Sequence, residues 1–235
     1  FYGLTGIVLY LLMIKMLRPS RGDDFAYFVS FVTAILFISH PIHTEVVANI
    51  KGQDEIVALL GSLAAMYFSL KGYFEKNKIF TVLAGVAFFL ALLAKENPIT
   101  FLAVLPLTYF VFTKAKTNEI VMQTVPFLIA GVVFLIIRHS VLGGGFGSSN
   151  MELMNNPFLK WSNGGYVALS KMESLPTMLY CLGKYLGLLV IPHPLTHDYY
   201  PRHIDIMSWG DLSVILSTVI YFAMGIYAIL NIKKR

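Results

Sequence analysis

The chain has 235 residues, 57% of them hydrophobic and only 13% charged, with a mean hydropathy of +0.69. That balance excludes an ordinary soluble domain and describes a polytopic membrane protein. The net charge of +5 is spread over short basic clusters between apolar runs, which excludes nucleic acid as a partner, and a single cysteine, Cys181, excludes an intrachain disulfide.

A membrane-crossing helix needs roughly 20 apolar residues. In chain order the runs 1–17, 25–39, 56–70, 79–94, 99–112, 120–137, 175–191 and 212–230 predict helices, the shorter ones completed by flanking polar residues. The loops 18–24, 71–78 and 114–119 are basic and fall on one side by alternation, so the positive-inside rule makes that side cytoplasmic. The opposite face then carries the outer loops 40–55, 95–97, 138–174 and 193–211, which hold all six histidines.

Eight strict crossings would place the closing Lys233-Lys234-Arg235 outside, against the charge rule. The run 175–191 contains Pro176, Gly183, Lys184 and Gly187 and is followed by Pro192, so it is expected as a re-entrant or interfacial helix. The expected fold is all-α: a polytopic helical bundle of about seven crossings plus that one returning helix. Residues 1–235 are read as part of one transmembrane domain. Its start at Phe1 without a basic leader, and its end directly after an apolar run, are read as marks of a longer protein.

Within the 138–174 loop, Gly143-Gly144-Gly145 lacks the Lys-Ser/Thr ending of a phosphate loop and follows no strand, so it reads as a hinge. Met151, Leu153, Met154, Phe158 and Trp161 are apolar enough to lie in the bilayer interface.

Ionisable groups at membrane depth are costly and mark substrate or ion pathways. His40, His43 and Glu45 fall in the short segment His40-Pro41-Ile42-His43-Thr44-Glu45, where a helix should simply leave the membrane. They lack the H-E-x-x-H spacing of a zinc helix, and the other reading is a set of polar caps for two helix ends. No cofactor is implied, and a divalent metal is left open. Lys95 and Glu96 sit in a tight turn before Pro98, where a cation suits a lipid-linked phosphate and a simple Lys95–Glu96 pair is the alternative. Arg138 adds a cation on the same face. His197, Asp198, Tyr199 and Arg202 are dense in groups that grip sugars and phosphates, with an aromatic interfacial belt as the competing reading.

Three segments carry a resemblance: HPIHTEVVANIKG at 40–52, ALLAKENPIT at 91–100 and KYLGLLVIPHPLTHDYYP at 184–201. In content and order they resemble the transmembrane and tetratricopeptide-repeat O-mannosyltransferases and their bacterial relatives, enzymes with a C-type glycosyltransferase membrane domain. The resemblance covers essentially the whole chain, with Gln53 standing where relatives often have Arg. It implies transfer of a mannose-like sugar from a polyprenyl-phosphate donor to an acceptor hydroxyl of a protein or glycan, with inversion, on the extracytoplasmic face. It also implies that the general base is an acidic residue upstream of Phe1, which leaves the catalytic residue unassigned here.

On that reading Lys95, Arg138 and Arg202 face the donor phosphate, while His40, His43 and Glu45 position sugar or acceptor hydroxyls. Membrane lipid is the surrounding partner. Ile- and Lys-rich usage points to a bacterial inner membrane with the site toward the periplasm or exterior. A transporter or flippase for an anionic or lipid-linked substrate, or a non-catalytic subunit of a membrane complex, would use the same charges differently.

Overall fold

The computed structural model describes residues 1–142, 156–162, 164–196, 199 and 203–232. They form two compact units, divided between Gly144 and Gly145.

The first unit is a bundle in which each helix boundary has a local cause. Helix α1 (Tyr2–Arg21) ends at Gly22, whose φ of +83° only glycine adopts readily, and α2 (Asp23–Ser39) begins at once. The Arg18 guanidinium donates to both Asp23 oxygens, at 2.7 and 2.8 Å, and so clasps the turn. Asp23 and Asp24 also favour the positive end of α2. At His40-Pro41 the chain bends by 47° through a short 3₁₀ turn into α3 (Thr44–Ala48). Helix α4 (Gln53–Glu75) runs back and ends at Lys76 in the left-handed conformation. Asn77 then caps α5 (Lys78–Ala94), its side-chain oxygen accepting from the Ile79 N–H at 2.9 Å. A 3₁₀ turn, Asn97–Thr100, leads into α6 (Phe101–Phe112), and α7 (Thr117–Leu142) closes the unit.

The core lies among α1, α4, α5, α6 and α7. Phe88 and Phe127, both fully buried, stack with centroids 4.7 Å apart and join α5 to α7. Tyr109 is fully buried as well, and shares a hydrogen bond of 2.9 Å with Ser69 Oγ. Helices α4 and α5 meet closely at Gly61, where a Cβ would stand 2.9 Å from the Ala91 Cβ.

This packing sorts the loops onto two ends. Lys15 pairs with Glu75 at 3.0 Å, which sets the close of α1 beside the close of α4. Pro19, Ser20, Lys76 and Lys114 line one cavity, so the three basic loops predicted to share a side do share an end of the bundle. At the other end Tyr2 meets His43, Lys95 meets Glu55, and Arg138 meets Glu96. We call these the lysine end and the histidine end.

The second unit opens with an antiparallel hairpin, β1 (Leu159–Ser162) and β2 (Gly165–Ala168), in register Leu159 to Ala168. It is the one departure from an all-helical chain among the described residues. Trp161 and Tyr166 pack edge to face across it at 5.1 Å. Lys160 reaches Glu173 at 2.6 Å, tying the hairpin to α8 (Lys171–Val190). Ser170 and Glu173 form a reciprocal capping box there, and these contacts together hold the Glu173 carboxyl down at about 2, with the Lys160 bond the largest cause. Helix α8 is continuous, so the chain does not turn back on itself within it as a re-entrant loop would. It packs against α9 (Leu212–Asn231), where Ser217 Oγ donates to the Leu179 carbonyl and Tyr221 OH to that of Leu182 at 3.1 Å.

The protein is an integral membrane protein. Four helices among the described residues are long and apolar enough to cross a bilayer: Tyr2–Arg21, Ile50–Glu75, Thr117–Val141 and Leu212–Asn231, or five with the bent pair Asp23–Ser39 and Pro41–Ala48. Lys78–Ala94 and Asn97–Phe112 are apolar but shorter. The Gly143–Gly145 hinge and the interfacial Met151, Leu153 and Met154 lie outside the described residues.

Candidate functional site

The histidine end is built where α2 and α5 stop and α4 and α6 start. His40 follows the last residue of α2 in extended conformation, and its Nδ1 accepts from the Ile42 N–H at 3.2 Å, which starts the turn. That turn delivers the His43 ring onto Phe37, at 4.5 Å between centroids, with Tyr2 at 5.8 Å and His40 at 6.2 Å. Tyr2 OH is itself fixed, donating to the carbonyls of Phe37 and Ile38 at 3.2 and 3.1 Å. Burial pushes the His43 imidazole below its ordinary range, and the neighbouring His40 adds to this. His43 is therefore a neutral imidazole at neutral pH, with one nitrogen to donate and one to accept.

Glu45 belongs to the same segment but turns to local work: Asn49 donates to it at 3.2 Å and in turn accepts from the Lys51 N–H at 3.0 Å.

The charged part of the site is Lys95. Its ammonium lies 2.5 Å from Glu55 and 3.5 Å from Asp54, and Asn97 reaches the second Glu55 oxygen at 3.5 Å. The bond to Glu55 raises the Lys95 pKa, so the cation is held charged. Asp54 and Glu55 occupy the first turn of α4, where the helix end favours carboxylates. One residue on, Glu96 pairs with Arg138 at 2.8 Å, fastening the 95–100 turn to α7. The alternative Lys95–Glu96 pair is thus not formed, since each chooses a partner on another helix.

These groups surround a cavity of about 320 Å³ lined by Tyr2, His43, Glu55, Asn97, Thr100 and Phe101, among others. Its polar inventory is a neutral imidazole, a carboxylate, an amide and the hydroxyls of Tyr2, Thr5, Ser62 and Thr100, set among apolar walls. Such a set hydrogen-bonds a polyhydroxylated ligand from several sides. Among the described residues no group of three or more His, Cys, Asp or Glu is placed to hold a metal ion.

Of the residues singled out from sequence, His43 lines this cavity, and Lys95 reaches it through Glu55. His40 and Glu45 shape the segment beside it, and Glu96 with Arg138 braces it. Tyr2, Glu55, Asn97 and Thr100 were not singled out. The acidic first turn after Gly52 was the available signal for Glu55, while Tyr2 gave none, because its role comes from α1 packing on α2. In the second unit Lys184 lies over the Tyr199 ring at 4.9 Å, and Tyr199 meets His203 at 6.5 Å. His197, Asp198 and Arg202 lie outside the described residues.

The chain is similar to protein O-mannosyl-transferase F38B6.6 of Caenorhabditis elegans, with 28% identity over 86% of this chain and 26% of that protein. It is also similar to protein O-mannosyl-transferase TMTC2 of Mus musculus, with 28% identity over 91% of the chain and 27% of the relative, and to its Homo sapiens counterpart at 29% over 79% and 24%. The chain thus spans about a quarter of the length of these curated relatives. No family model and no solved structure matches it. The similarity to these O-mannosyl-transferases extends over most of the chain.

Proposed function

We propose that the chain is part of an integral membrane glycosyltransferase that moves a mannose-like sugar from a polyprenyl-phosphate donor to a hydroxyl of an acceptor protein, with inversion. On this reading the whole chain forms a C-type glycosyltransferase membrane domain of about seven crossings plus one re-entrant or interfacial helix, and the histidine end of the first unit faces away from the cytoplasm. What carries this reading is the cavity of about 320 Å³ at that end, where His43, Glu55, Asn97 and Thr100 stand beside the Lys95 ammonium. The similarity to protein O-mannosyl-transferases supports it.

The chemistry divides by charge. Two cations at this end are matched to carboxylates, Lys95 to Glu55 and Asp54, and Arg138 to Glu96. A donor phosphate displaces a carboxylate from Lys95, which offsets the charge growing on the leaving phosphate. The freed Glu55 carboxylate then accepts from a sugar or acceptor hydroxyl, and neutral His43 orients another. The general base is supplied from outside these residues. The basic loops 18–24 and 114–119 at the lysine end support a cytoplasmic side there. Ile- and Lys-rich usage favours a bacterial inner membrane with the site toward the periplasm.

The test is transfer from a radiolabelled polyprenyl-phosphate-mannose to a Ser/Thr acceptor peptide by the full-length protein. Product is expected with this donor and not with a nucleotide sugar. His43→Ala is expected to lower the rate at unchanged expression, and undiminished transfer by both His43→Ala and Lys95→Ala overturns the site assignment.

A further inference from the structure

The lysine end carries a second cavity, independent of the sugar site. It holds about 1800 Å³ and opens between α5 and α7, roofed by the 75–78 and 113–116 loops. Small-molecule sites run to about 1000 Å³, so this volume fits a larger, elongated occupant. Its apolar side is Val82, Val86, Phe89, Ile129 and Val133, mostly exposed on the helix surface and suited to hydrocarbon. Its mouth is Lys76, Lys78 and Lys114, brought from two different loops.

The charge at the mouth is not balanced from within. Among the described residues no ion pair joins any of these three lysines to a carboxylate, whereas at the histidine end Lys95 and Arg138 are each matched. Glu119 is the one carboxylate lining the cavity, and it accepts from the Lys116 backbone N–H at 2.7 Å, which commits it to the start of α7. Gln123 lines the cavity one turn further in, and its buried side-chain oxygen has no hydrogen-bond partner among the described residues. A buried acceptor left bare costs free energy, so a donor on the occupant belongs there.

We propose that this cavity binds an anionic phospholipid from the adjoining leaflet. The headgroup phosphate lies among Lys76, Lys78 and Lys114, a headgroup hydroxyl or amine donates to Gln123, and an acyl chain lies along the apolar wall between α5 and α7. Charge complementarity selects the anionic lipid, because a zwitterionic headgroup brings its own cation to a mouth that already has three.

The experiment places the full-length protein in nanodiscs of mixed phosphatidylcholine and phosphatidylglycerol, extracts it gently, and counts retained phospholipid by native mass spectrometry. Phosphatidylglycerol is expected to be enriched over its share in the bilayer. Each lysine replaced by Gln should lower that enrichment by about fivefold. The triple K76R/K78R/K114R variant should keep it, which separates charge from fold. Val133→Trp, which fills the wall and leaves the lysines intact, should abolish retention while circular dichroism stays helical. Equal retention of the two lipids overturns the proposal, as does enrichment that survives K76Q/K78Q/K114Q. Capture of a polypeptide instead of lipid by a photo-crosslinker at position 133 overturns it too.

Discussion

The two ends of the first unit solve opposite problems with the same helices. At the histidine end the cavity is small, Lys95 and Arg138 beside it are matched, and its polar groups are fixed by neighbours such as Phe37, Tyr2 and Asn97. At the lysine end the cavity is several times larger, its walls are apolar, and three lysines at its mouth have no carboxylate among the described residues. Matched charge beside a small cavity is preorganised for a directional ligand. Unmatched charge over an apolar trough suits a flexible amphiphile. The difference teaches that charge count alone does not mark a sugar site; how charge is satisfied does.

The comparison breaks most visibly at Lys95. Lys95→Ala removes the cation bonded to Glu55, and sugar transfer by the full-length protein should fall by roughly 10²-fold. Lys95→Arg should recover part of that rate, and a rate equal to wild type in Lys95→Ala would erase the distinction between the ends.

Gly61 tests what the ends share. Its close approach to Ala91 sets the spacing of α4, which lines the small cavity, against α5, which lines the large one. Gly61→Leu should destabilise the bundle by about 2 kcal/mol, read as a lower Tm, and should weaken sugar transfer and lipid retention together. Loss of one without the other would show that the two ends are not mechanically joined through this pair.

A smaller effect sharpens the role of His43. Its folded pKa lies below the unfolded value, so the unfolded state binds the proton more readily, and stability rises with pH through that window. The contribution is complete above the ordinary histidine range and is lost as pH falls from about 6.5. Tm measured from pH 7.5 down to 5 should therefore drop more for wild type than for His43→Phe. Parallel curves would remove the burial argument.

The smallest effect is a control at the other end. Lys15 and Glu75 form a partly exposed pair, so Lys15→Ala should shift stability by no more than about 0.5 kcal/mol, and sugar transfer should not change.

Much of the frame was legible in the sequence because apolar runs in a membrane chain have few alternatives to helix. The runs 25–39, 79–94 and 212–230 end within a residue or two of α2, α5 and α9. The basic loops foretold the lysine end. The hairpin at Leu159–Ala168 was missed, although an Asn163-Gly164 dipeptide between alternating residues is a strong hairpin signal. The pairings at the site were less accessible. Lys95 and Glu96 are adjacent and of opposite charge, yet Lys95 bonds Glu55, 40 residues away, and Glu96 bonds Arg138. No local rule selects partners set by helix packing, and Tyr2 entered the site for the same reason.

The most direct test of where the donor engages is photo-crosslinking. A polyprenyl-phosphate-mannose carrying a photoreactive sugar is bound to the full-length protein, irradiated, and its adducts mapped by mass spectrometry. The account predicts adducts within residues 40–55 and 95–101, depleted in Lys95→Ala. Adducts concentrated at 76–82 and 113–133, with the histidine end unlabelled, would contradict it.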